Sequence, residues 1–67
     1  MKIDVFKKRF LALSKDQQIV SVSEMKRAAG TDANIKKQHC RGIPEDQHAT
    51  IIRAFKDLVI WCENSIN

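Results

Sequence analysis

The stretch Ser21-Val22-Ser23-Glu24-Met25-Lys26-Arg27-Ala28-Ala29-Gly30-Thr31-Asp32-Ala33-Asn34-Ile35-Lys36-Lys37-Gln38-His39-Cys40-Arg41-Gly42-Ile43-Pro44 decides how this chain folds. Ser21, with Glu24 three residues on, has the form of a capping box, in which two side chains satisfy two otherwise unpaired amides at a helix start. A short helix over about 22–29 follows, with Met25, Ala28 and Ala29 as a small inward face. Gly30 falls where a left-handed C-cap is wanted, and Thr31 or Asp32 can cap the next helix, so the break is a tight turn. That next helix, about 32–41, has Ala33, Ile35 and Cys40 as its only apolar side chains. Most of its surface must therefore face water or a ligand. Gly42 ends it, and Pro44 suits the first position of a further helix, where its missing N–H costs nothing.

Working outward, Ile3, Phe6, Phe10 and Leu13 recur at spacings of three and four, which predicts an amphipathic helix over about 2–14 with Lys2, Lys7, Lys8 and Arg9 mostly off the apolar face. Lys15 to Val20 reads two ways. Ser14 with Gln17 has the form of a capping box, while Ile19 and Val20 are β-branched, and the segment is read as a turn or short helical link. After Pro44, Glu45 and Asp46 complement the positive end of a last helix that runs to about Ile66. It carries one apolar row of His48, Ile52, Phe55, Val59, Cys62 and Ile66, and a neighbouring row of Ile51, Ala54, Leu58 and Trp61. His48, only four residues past Pro44, is read as a helix-start residue facing water. Ile60 belongs to neither row and falls near Arg53 and Lys56, where an intramolecular core leaves it wet. The expected architecture is all-α, a single domain over residues 1–67: a compact bundle of about four helices with a helix-turn-helix-like pair and a long C-terminal helix.

Size and composition narrow the function. With 67 residues, 43% hydrophobic and 30% charged, the chain makes one small domain that buries roughly 60% of its unfolded surface, so a second copy adds needed contact area. A homodimer is the expectation, with Ile52, Phe55, Val59, Ile60 and Trp61 as the dimer or partner surface. The longest apolar run, Leu58 to Cys62, is far short of the roughly 20 residues of a membrane span, and the charged N-terminus is unlike a secretion signal. A cytoplasmic location is expected, with Cys40 and Cys62 as thiols. His39, Cys40, His48 and Cys62 lack the close paired spacing of a zinc site, and no cofactor is called for. Nor does any nucleophile, base and phosphate-cradling loop combine into an enzyme's frame.

Charge is distributed unevenly. Residues 1–41 hold ten Lys or Arg against four Asp or Glu, a balance of +6, while residues 42–67 hold two against four, a balance of −2. A basic first part points to a polyanion, and a capped helix, tight turn and polar basic helix match the pattern of a DNA reader. Asn34 and Gln38, four apart, can make bidentate contacts to adenine, and Lys37 and Arg41 can reach phosphate or guanine. Lys26, Arg27 and Lys36 then serve as phosphate contacts, with Thr31 at the turn.

Met25 to Ile35, continued by Arg41-Gly42-Ile43-Pro44, resembles the helix-turn-helix core of small Cro-type phage regulators, in which an Ala-containing helix, a Gly turn and a recognition helix lead through an Ile-Pro step into the next helix. The likeness covers about residues 21–55 and implies a transcriptional regulator of phage or prophage type that binds double-stranded DNA. Two positions depart from the pattern: Thr31 stands where an apolar residue is usual, and Ile35 lies five rather than six residues after Gly30. The register of the recognition helix is thereby left open. A different class of function is a protein-binding inhibitor or antirepressor-like module that docks its apolar last helix on another protein, with Ile60 and Trp61 as anchors. RNA recognition by base stacking is disfavoured by the absence of Tyr and the single Trp.

Overall fold

The computed structural model describes residues 2–66. Four α-helices occupy Ile3–Ala12 (α1), Lys15–Ala28 (α2), Asp32–His39 (α3) and His48–Ser65 (α4), with a 3-10 turn at Glu45–Gln47 before α4. The all-α architecture with a long C-terminal helix is as the sequence reading has it. No strand occurs among the described residues.

The second helix starts earlier than expected. Ser14, not Ser21, is its N-cap: the Ser14 Oγ accepts from the Gln17 backbone N–H at 3.3 Å, and the Gln17 side chain accepts from the Ser14 N–H at 3.2 Å. Ser21 then lies inside α2, and Lys15 to Val20 is helix rather than link. The β-branched pair Ile19 and Val20 each cost only a few tenths of a kcal/mol in helix propensity, less than the roughly 1 kcal/mol of a good cap. Their side chains face solvent, at 45% and 57% exposure, while Gln18 and Val22 turn inward. Buried Gln18 donates from Nε2 to the Phe10 carbonyl at 2.9 Å, closing the end of α1 onto α2.

Helix α4 is the hub on which α1, α2 and α3 all pack. Two buried clusters divide its inner face. Phe10, Val22, Leu58 and Cys62 join α1, α2 and the C-terminal half of α4, with Phe6, Met25 and Trp61 at the edge. Ile35, Ile52, Phe55 and Val59 join α3 to the N-terminal half, with Met25, Ala28 and Ala29 against them. Met25 touches both clusters. The small inward face expected of α2 is thus used as read, since alanines let α3 and α4 approach.

Gly30 and Pro44 depart from expectation, while Gly42 lies in the turn that follows α3. Gly42 takes the left-handed conformation, φ 77°, and Gly30 does not. Ala29 ends α2 with its N–H on the Met25 carbonyl, so no reversal is needed at Gly30. Pro44, at ψ 139°, is extended and precedes the 3-10 turn rather than opening α4, which therefore begins at His48. His48 is half-buried rather than turned to water. Its Nε2 lies 2.9 Å from the Ile43 carbonyl, to which an Nε2–H donates, pinning the Gly42–Pro44 turn to the start of α4.

Candidate nucleic-acid interface

Helix α3 is built to be anchored along one line and open elsewhere. Thr31 caps it, its Oγ1 accepting from the Asn34 N–H at 3.1 Å, and Ile35 is fully buried beneath it. Burial of Ile35 settles the helix register. At about 100° per residue, Lys37 lies nearly opposite Ile35, with Asn34 on one flank and Lys36 on the other, all exposed. Gln38 sits nearer the core side, where it lines a groove with His39, Ile43 and Phe55. The ring of His39 rests 4.7 Å from that of Phe55, a contact the sequence reading did not anticipate.

The structure ends α3 at His39, two residues short of expectation. The Cys40 N–H makes the last helical bond, to the Lys36 carbonyl, and the Ile43 N–H then bonds the Cys40 carbonyl around Gly42. Arg41 is exposed in that turn. It is not one helical turn beyond Lys37, but it remains beside the end of α3. The turn forms because buried Cys40, at 3% exposure, holds the chain in while Gly42 supplies the positive φ.

Ion pairing separates the basic residues into two groups. Lys26 reaches Glu63 on α4 at 3.2 Å, and Lys56 reaches Asp32 at 2.8 Å. Among the described residues, Arg27, Lys36, Lys37 and Arg41 have no acidic partner within ion-pair distance. Of the candidate DNA contacts, Lys26 is therefore partly neutralised and the Thr31 hydroxyl already serves as a cap. The others stand exposed around α3 and the end of α2. Coulomb attraction from Lys36 adds a little to the lowering of Asp32's pKa, which is due first to the Lys56 hydrogen bond and charge.

The residues expected to form a dimer or partner surface divide differently. Ile52, Phe55 and Val59 lie in this chain's own core at 8%, 6% and 6% exposure, because α3 covers them, so they are not a free surface. Trp61 is half-buried, edge-on to Phe10 at 5.9 Å with the Lys7 ammonium 4.9 Å from its ring. Ile60 remains exposed at 55%. Sequence periodicity showed that Ile60 leaves the apolar rows, but it did not show that a helix of only eight residues suffices to cover the row beside it.

No helix among the described residues is long and apolar enough to cross a membrane. No family model matches this sequence, and no curated protein or solved structure is significantly similar to it.

Proposed function

We propose that this chain is a small DNA-binding regulator in which α2, the Ala29–Thr31 turn and α3 form a helix-turn-helix, with α3 entering the major groove. The observation that carries the reading is the state of α3: one buried anchor, Ile35, and an exposed remainder bearing Asn34, Lys36 and Lys37 with no acidic partner on either lysine. A helix held from one side and basic on the others has the shape a groove accepts. Asn34 supplies base-directed hydrogen bonds, Lys37 and Arg41 reach phosphate or guanine, and Arg27 and Lys36 contact phosphates.

Fluorescence anisotropy of mixed-sequence duplex DNA, titrated at about 50 and about 200 mM salt, tests this reading. Neutralising about four phosphates, through Arg27, Lys36, Lys37 and Arg41, gives a slope of about −3.6 in log affinity against log salt. Affinity that stays flat with salt, or no binding at the lower salt, overturns it.

A further inference from the structure

Opposite the buried row of α4 runs a second stripe. Ala49, Arg53, Asp57 and Ile60 follow one another at steps of four, four and three residues, all exposed, and they line a groove of about 690 Å³ together with Asp32 and Lys56. The order along the stripe is small apolar, positive, negative, large apolar. Laid antiparallel on itself about a two-fold axis, it pairs Arg53 of each copy with Asp57 of the other and sets Ile60 over Ala49 at both ends.

The surrounding charges support that pairing. Arg53 and Asp57 stand one helical turn apart, yet among the described residues neither has an ion-pair partner. Of their charged neighbours in the groove, Lys56 and Asp32 pair with each other, while Lys36 and Glu45 also line it without an ion-pair partner among the described residues. Lys56 is held by Asp32 at 2.8 Å, and Lys7, which shares a groove with Asp57, lies over the Trp61 ring. Arg53 and Asp57 therefore remain available beside an exposed isoleucine. The molecule is also drawn out, with extents of 36 × 22 × 16 Å and a radius of gyration of 12.4 Å, against about 11 Å for a compact chain of this length.

We infer that the chain forms a homodimer in which α4 packs antiparallel against α4 of a second copy, through reciprocal Arg53–Asp57 pairs and Ile60 against Ala49. A second copy is the occupant because the stripe contains its own complement in both charge and shape. This goes beyond the DNA-binding reading and stands whether or not DNA binds.

Sedimentation velocity over a dilution series, with circular dichroism to confirm helix content, tests the inference. The unmodified chain shows a concentration-dependent monomer–dimer equilibrium. Arg53→Asp and Asp57→Arg each weaken dimerisation at least about tenfold, since each places like charges together twice, and Ile60→Asp weakens it further. Combining Arg53→Asp with Asp57→Arg in one chain restores the dimer. Mixing the two single variants yields a heterodimer in native mass spectrometry, because both contacts then pair opposite charges. A chain that stays monomeric throughout the series overturns the inference. So does a dimer indifferent to both charge reversals, or a mixture that gives no heterodimer.

Discussion

Lys56 on α4 holds Asp32 of α3's first turn at 2.8 Å, tying the start of the candidate recognition helix to the hub of the bundle. The hydrogen bond from Lys56, and then its charge, keep the Asp32 carboxyl below the usual carboxylate value. Because the folded pKa is lowered, the associated stabilisation is complete above the unfolded carboxylate pKa and is lost as pH falls through the folded one. Carboxyl NMR titration will show Asp32 with a depressed midpoint, and Lys56→Met will move that midpoint back up. An unchanged midpoint in Lys56→Met will show that the pair does not form in solution.

Lys37→Ala and Arg41→Ala will each weaken duplex binding and reduce the magnitude of the salt slope by about 0.9, the amount expected for one phosphate contact. Lys26→Ala will do less, because Glu63 at 3.2 Å already offsets its charge. Anisotropy titrations at several salt concentrations distinguish the two groups. Equal slopes for all three variants will count against the placement of Lys37 and Arg41 at the interface.

Ile35 is completely buried and is the apolar side chain that anchors α3. Ile35→Ala will destabilise the chain by about 2–5 kcal/mol, against a total stability of roughly 3–10 kcal/mol for a domain of this length. Ile35→Val will cost only about 0.5–1.5 kcal/mol. Urea denaturation followed by circular dichroism will order the three proteins, and the valine variant, still folded, will retain DNA binding.

The two serines that resemble N-caps will behave differently. Ser14→Ala will cost about 1 kcal/mol, since it opens the capping box with Gln17, whereas Ser21→Ala inside α2 will change stability by less than about 0.5 kcal/mol. Gly42→Ala will cost about 1 kcal/mol because its φ of 77° strains any side chain. Shifts in urea midpoint at constant slope measure all three.

Both thiols will resist labelling in the native chain and react once it is unfolded. Cys40 and Cys62 are 3% and 0% exposed, and burial pushes the Cys62 thiol's pKa up against a weaker opposite pull from Lys7. Rapid native labelling of Cys62, measured by mass spectrometry against a denatured control, will contradict its place beside Phe10 and Leu58.

Much of this molecule follows from local chemistry alone. The three- and four-residue spacing of Ile3, Phe6 and Phe10 places one face of α1 inward, though Leu13, read as part of that face, lies exposed beyond the helix end, and the steps from Ile52 to Cys62 define the inner face of α4. These features depend on neighbours within one or two helical turns, so the sequence determined them by itself. It also placed Ile60 outside the core, since helical angle does not depend on what packs nearby.

What tertiary structure alone decided was which of two competing local signals took effect, and which apolar row found a cover. Ser14 with Gln17 and Ser21 with Glu24 both have the form of a capping box, and only the first caps α2. The longer helix forms where Gln18 reaches the Phe10 carbonyl and Val22 enters the core, contacts made with a separate helix. Ile52, Phe55 and Val59, expected at a dimer or partner surface, become core because Ile35 is laid on them from α3. The pairing of Lys56 with Asp32, which leaves Arg53 and Asp57 without partners among the described residues, joins positions 24 residues apart in sequence. Helical periodicity states which side chains share a face, but only the packing of one helix on another determines what that face meets.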